Sequence, residues 1–183
     1  MLNTKPDRRV ARTRAALLQA FVALLLSEGY ESVTVEDIAA RANVGRSTFY
    51  VHFRGREDIL KTSLATVSTS LAALVAEGRT AEQLVPLMDH FWEQRRRNHV
   101  VFEQPVRRIW IACLADLIEP GLVGPYRRTG CKIPTALAAT QIAETQLGWI
   151  ANWLRANARL TPIAAAQTLV QLTRATAAAL VER

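Results

Sequence analysis

The chain has 183 residues, 23 of them basic and 16 acidic for a net charge of +7, and half of them hydrophobic, with only 8 glycines and 7 prolines. This composition excludes disordered, collagen-like and low-complexity chains, because there is apolar surface enough to offset chain entropy; the length predicts one domain or two small ones. The charge favours a polyanionic partner without locating it, and two cysteines outside any C-x-x-C pair, Cys113 and Cys131, exclude a disulfide framework and fit a reducing cytoplasm.

No apolar run approaches the roughly 20 residues of a membrane span. The opening residues lack the apolar core of a secretion signal, so a cytoplasmic chain without a membrane segment is expected. Lys5, Arg8, Arg9, Arg12 and Arg14 stand against Asp7 alone near the start.

Helical signals dominate. The first helix is predicted over about 8–28, with Val10, Leu17, Phe21, Leu24 and Leu25 on one side and Gly29 as its stop. Thr34 then reads as an N-cap, with Asp37 three residues on as a short capping box and Val33 with Ile38 as a hydrophobic staple. A brief helix over 35–42 follows. Asn43 tolerates a left-handed backbone, and a second brief helix spans about 46–52 before Phe53-Arg54-Gly55 breaks it. A longer helix covers about 56–77, ended by Gly78. Further helices are expected at about 81–97 and 105–118, with a short helical piece at 99–102. Residues 119–134, holding Pro120, Gly121, Gly124, Pro125, Gly130 and Pro134, read as the least regular stretch. Two helices, about 134–157 and 162–181, close the chain; Thr161-Pro162 supplies the cap of the last one.

The segment from Thr34 to Leu60 is the informative one. Two short helices joined by a tight turn form a helix-turn-helix, whose second helix enters a DNA major groove. Ile38, Ala39 and Val44 are placed to pack against Phe49, and small Ala39 and Ala42 let the helices cross closely. Arg46, Ser47, Thr48, Tyr50 and His52 are left for the exposed side, all suited to phosphates and base edges.

Other features read more plainly. Arg95-Arg96-Arg97 is a solvated helix end favourable to the local dipole. His90 and His99, nine apart and without ligands at suitable spacing, predict no metal site. Cys113, among Ile109, Trp110, Ile111, Ala112 and Leu114, reads as a buried apolar thiol; Cys131, near Arg128 and Lys132, reads as inert ahead of the alternative of a redox sensor. Phe91, Trp92, Trp110 and Trp149 are candidate linings of a small-molecule pocket, with Phe102 and Trp153 beside them; each is equally well accounted for as ordinary core. The alanine-rich last helix and the apolar helix before it could pair with their copies into a four-helix interface.

The segment closely resembles the DNA-binding domain of the TetR family of bacterial transcriptional regulators. Thr34, Ile38, Ala39, Ala42, Val44, Phe49, Tyr50, His52 and Phe53 fall on the family pattern, and Arg56-Glu57-Asp58-Ile59-Leu60 matches the usual opening of its fourth helix. The likeness covers about residues 8–60. Asn43 replaces the family's turn glycine and Gly45 its serine, so capping there shifts to Ser47 or to bare backbone N–H groups. The resemblance implies an all-α protein of about nine helices: a three-helix reader over 1–55, then a bundle over 56–183 that binds an effector and dimerises through the last two helices. Thr34, Tyr50, His52 and Arg56 are expected to position the DNA backbone, and Arg46, Ser47 and Thr48 to face bases. The expected protein is thus a ligand-responsive regulator, with repression as its output, that binds a near-palindromic double-stranded operator as a homodimer. No catalysis and no cofactor are expected, since no nucleophile–base pair or phosphate loop is visible. The alternatives are an α-helical small-molecule binder or enzyme, and a nonspecific architectural DNA binder.

Overall fold

The computed structural model describes residues 8–75, 80–129, 133–156 and 160–180, with side chains omitted from 123 to 129. The described residues form nine α-helices, three short 3₁₀ segments and no strand. The expected stop at Gly78, together with Lys5, Gly130 and Cys131, lies outside them. The chain divides into two compact units, Met1–Leu64 and Ala65–Arg183. The division falls inside a helix, nine residues beyond the boundary expected at 55.

In the first unit, α1 (Arg8–Glu28) buries Leu17, Ala20, Phe21, Leu24 and Leu25. Val10 does not join them; it is 49% exposed, because the helix begins two turns before its buried stripe. Gly29 stops the helix at φ +80°, a left-handed conformation that glycine adopts without Cβ strain, and its N–H donates to the Leu25 carbonyl. Next come α2 (Val35–Arg41), α3 (Arg46–His52) and the start of α4 (Arg56–Ala72). Ile59 and Leu60, near the start of α4, are fully buried.

α1 and the segment Arg56–Val75 are each long and apolar enough, by length and composition, to cross a membrane. In α1, Leu17, Phe21, Leu24 and Leu25 are buried in the protein interior, and Leu18 and Leu26 are half-buried.

In the second unit, α4 tightens into a 3₁₀ turn at Ala73–Val75. The Leu71 carbonyl there accepts from Nε2 of buried Gln146, at 3.1 Å. The helix expected at 81–97 is instead a 3₁₀ turn at Glu82–Leu84, then α5 (Val85–Glu93), then α6 (Arg95–Asn98) after a break at Gln94. The break lets Asn98 turn inward while Arg96 and Arg97 stay exposed. The short piece at His99–Phe102 is a 3₁₀ turn.

The largest correction is α7 (Val106–Thr129), which runs straight through Pro120, Gly121, Gly124 and Pro125. Proline inside a helix removes one hydrogen bond and costs roughly 3 kcal/mol. Here both Pro120 and Asp116, the residue whose carbonyl loses its helical partner, are exposed, while Ile118 and Leu122 are buried on the opposite side. Gly121 has open space where a Cβ would stand. Gly121→Ala is therefore expected to raise stability by about 0.5–1 kcal/mol, read from the urea unfolding midpoint.

α8 (Thr135–Arg155) packs along α7, and α9 (Pro162–Leu180) packs on α8 and α5. Arg107 of α7 pairs with Glu144 of α8. Buried Trp153 donates from Nε1 to the Leu160 carbonyl, and Trp149 from Nε1 to the Ala165 carbonyl. Both indoles thus satisfy their one donor while tying α8 to α9 and the chain before it.

Candidate nucleic-acid interface

The site starts from a cap. Thr34 holds an extended backbone, and its Oγ1 accepts from the Asp37 N–H at 3.1 Å; the Asp37 carboxylate accepts in return from the Thr34 N–H at 3.0 Å. The capping box is complete. The Thr34 hydroxyl also donates to that carboxylate, and these bonds hold its pKa below the ordinary aspartate value. Thr34→Ala is expected to cost about 1 kcal/mol at neutral pH. Because the folded pKa of Asp37 is lowered, its stabilisation is present above the unfolded value near 3.9 and is lost as pH falls through the folded value. The difference between wild type and Thr34→Ala, followed by thermal melts from pH 7 to pH 3, should therefore shrink at the acid end.

Asn43 makes the turn at φ 54°, the conformation its short amide tolerates. Val44 N–H donates back to the Ala39 carbonyl at 3.0 Å. Gly45 caps α3 with no side-chain hydrogen bond, and Ser47 does not replace it; the Gly45 carbonyl takes the Thr48 and Phe49 N–H groups. Ile38, Ala39, Phe49 and Phe53 are buried, and Val44 is half-buried. Phe49 sits edge-on to Tyr50 at 5.4 Å and tilted to Phe53 at 5.7 Å. Anchoring that one ring turns the other side of α3 outward.

On that outward side, Arg46, Ser47 and Tyr50 are exposed, and Thr48 and His52 are half-exposed. Val51 is 79% exposed, an apolar side chain of the kind that meets a thymine methyl. Sequence reasoning did not single it out, although its place among polar neighbours on a helix this short is a usable signal. Arg46 is not loose: its Nη1 stands 2.6 Å from Glu36 Oε1, and its guanidinium lies 5.7 Å from the Tyr50 ring centre. The Tyr50 hydroxyl first, and Glu36 second, hold the guanidinium further above its ordinary pKa. Glu36 gave no local signal in the sequence, because only the crossing of α2 and α3 brings it to Arg46.

Arg56, expected on a phosphate, also has partners within the unit. Its Nη1 donates to the carbonyls of Tyr30, Glu31 and Val33, at 3.1, 3.3 and 2.7 Å, and its guanidinium lies 5.1 Å from the Tyr30 ring centre. It clamps the connection from α1 to α2 onto the start of α4. Arg14 lies 5.0 Å from the Phe53 ring centre, and Arg8 and Arg12 are exposed on α1.

Residues 17–62 match the sequence model of the bacterial regulatory proteins of the tetR family. The helix-turn-helix unit belongs to the TetR family. Relatives of this TetR-type unit include an uncharacterized HTH-type transcriptional regulator, YxbF, of Bacillus subtilis (strain 168), 42% identical over 59 residues, which are 32% of this chain and 16% of that protein. The HTH-type transcriptional regulator TcmR of Streptomyces glaucescens is 38% identical over 69 residues, covering 37% of this chain and 30% of its own. The chain thus spans less than a third of either relative. In fold, it is similar to a TetR-family regulator from Streptomyces coelicolor A3, with a TM-score of 0.65 at 18% identity over 97% of this chain and 99% of that one.

Of the aromatic residues expected beside an effector pocket in the second unit, Phe102 borders two cavities, while the others pack on neighbouring rings or onto α9. Phe91, Phe102 and Trp110 form a buried cluster, with Trp110 Nε1 donating to Ser68 Oγ at 3.0 Å. Trp92 stacks on Trp153 at 5.2 Å, and Trp149 is tied to α9. Large apolar rings filled the space available to them, and two cavities of the unit open beside charged side chains. Cys113 is half-buried rather than buried. Among the described residues, no three His, Cys, Asp or Glu side chains gather as metal ligands would.

Proposed function

We propose that the protein is a cytoplasmic, ligand-responsive transcriptional regulator that represses by binding a near-palindromic operator as a homodimer. The observation that carries this reading is the outward face of α3, where Arg46, Ser47, Tyr50 and Val51 project from a helix anchored by a single buried ring. One such helix reads only a few base pairs, and a two-fold pair places two of them about 34 Å apart, or a multiple of that, on successive major grooves. In this reading, Thr34, Tyr50 and His52 position the DNA backbone while Arg46, Ser47 and Thr48 face bases. Arg46 is the guanine reader, since its fork spans O6 and N7. The reader comprises 1–55, and the remainder, 56–183, binds the effector and dimerises.

The outer side of α8 and α9 supports the dimer. Trp149, Ile163 and Leu172 are half-exposed there beside exposed Ala175 and Ala178, small enough for close helix approach. Effector control would then act on the separation of the two readers through α4, whose 17 residues extend about 25 Å.

Fluorescence anisotropy on duplex from the protein's own upstream DNA tests the reading. Salt-dependent, sequence-selective binding is expected, and Arg46→Ala should weaken it about tenfold or more. Equal affinity for random and upstream duplex would select the architectural reading instead. Binding unaltered in Arg46→Ala with Tyr50→Ala would remove α3 as the reader.

A further inference from the structure

Two cavities of about 410 Å³ and 430 Å³ open side by side in the second unit, bordered by α6, the 3₁₀ turn after it and α8. They share Phe102, Ala151 and Arg155, so they are two lobes of one groove. Each lobe alone falls within the roughly 300–1,000 Å³ of small-molecule sites. The floor is apolar, made by buried Phe102 and Ala151 and half-buried Leu154. The rim of the first lobe is cationic, with Arg95, Arg96 and Arg155; Arg155 also borders the second lobe, where Arg107 is already paired with Glu144 and Glu103 is the one lining acid.

The rim is also partly set in place. Arg95 donates from Nη1 to the Trp92 carbonyl at 2.9 Å, and its guanidinium lies 4.5 Å from the Trp92 ring centre, over an indole itself stacked on Trp153. An arginine already held in this way loses little freedom when an anion arrives. His99 donates from Nδ1 to the Arg96 carbonyl at 2.9 Å, because a carbonyl can only accept. That leaves Nε2 as the second polar atom of the ring. Side chains of one sign converging above an apolar floor are complementary to an anionic head with an apolar body.

We propose that this groove binds a small, soluble anionic amphiphile: a carboxylate, sulfate or phosphate head among Arg95, Arg96 and Arg155, with an aliphatic or aromatic body on Phe102, Ala151 and Leu154. That this ligand is the effector rests on the regulator reading above; that it binds here does not.

Calorimetric titration of the full chain with n-octyl phosphate, n-octyltrimethylammonium and inorganic phosphate, each below any micellar concentration, tests it. Octyl phosphate should bind at least tenfold more tightly than the other two. Arg96→Ala with Arg155→Ala removes two exposed side chains, so the unfolding midpoint should hold while octyl phosphate binding weakens at least tenfold. Equal binding of the cation, or binding indifferent to the double substitution, overturns the proposal. So does loss of general duplex affinity in the variant with octyl phosphate binding intact, which would make the groove a nucleic-acid surface. Capture on phosphatidylglycerol vesicles without octyl phosphate binding overturns it too. Sequence-selective DNA binding without octyl phosphate binding defeats the groove alone. Octyl phosphate binding without sequence-selective DNA binding leaves the groove standing and defeats the regulator reading.

Discussion

Phe49→Ala is expected to destabilise the first unit by about 3–5 kcal/mol, the range for emptying a fully buried aromatic site. The ring is 0% exposed and touches both Tyr50 and Phe53. α2 and α3 have seven residues each, too short to persist on their own. What holds them is the layer of Ile38, Ala39 and Phe49 between them, so the loss falls on the whole corner. Urea unfolding followed by helical circular dichroism should show an early transition that wild type lacks. A shift under about 1 kcal/mol would contradict the buried placement. Phe49→Leu keeps much of the volume and should recover most of the stability while leaving the Tyr50 ring without its edge-on neighbour.

Arg56→Ala is expected to cost about 2 kcal/mol, the scale of hydrogen bonds from a charged donor. Three carbonyls of the connection between α1 and α2 lose their shared partner at once. Arg56→Lys separates clamp from phosphate contact. A lysine ammonium still meets a phosphate as a point charge, but it lacks the planar fork and the stacking over Tyr30. With Arg56 acting as a clamp, the lysine variant should keep most of the stability loss seen in Arg56→Ala. DNA affinity, measured at a temperature where both variants are folded, should then keep its salt slope in Arg56→Ala. A slope reduced by about one, with stability intact, would return Arg56 to the phosphate backbone.

The first unit was the legible part. α1, α2 and α3 begin and end within a residue of where the sequence places them, because their boundaries are written locally: Gly29 at positive φ ends α1, the Thr34–Asp37 box opens α2, and Asn43 in the left-handed region follows it. α7 was misread for the opposite reason. Pro120 and Gly121 are local breakers, but buried Ile118 and Leu122 hold the helix from the far side, and that packing has no signature in a short window. The same blindness applies to the cavities. Aromatic residues announce burial, and buried rings such as Trp110 close space rather than leave it open. Arg95 and Arg96 read as a solvated end, and only the approach of α8 turns them into a rim.

The Glu36–Arg46 pair gives α3 its own resident competitor for any polyanion. Freeing Arg46 from an exposed carboxylate carries a small, salt-screened penalty. That penalty applies to every duplex the helix meets, whatever its sequence. A guanine edge offsets it with two directed bonds, whereas a random phosphate offers only a swap of one acid for another. Deleting the carboxylate with Glu36→Gln would thus make the surface stickier and less discriminating at the same time.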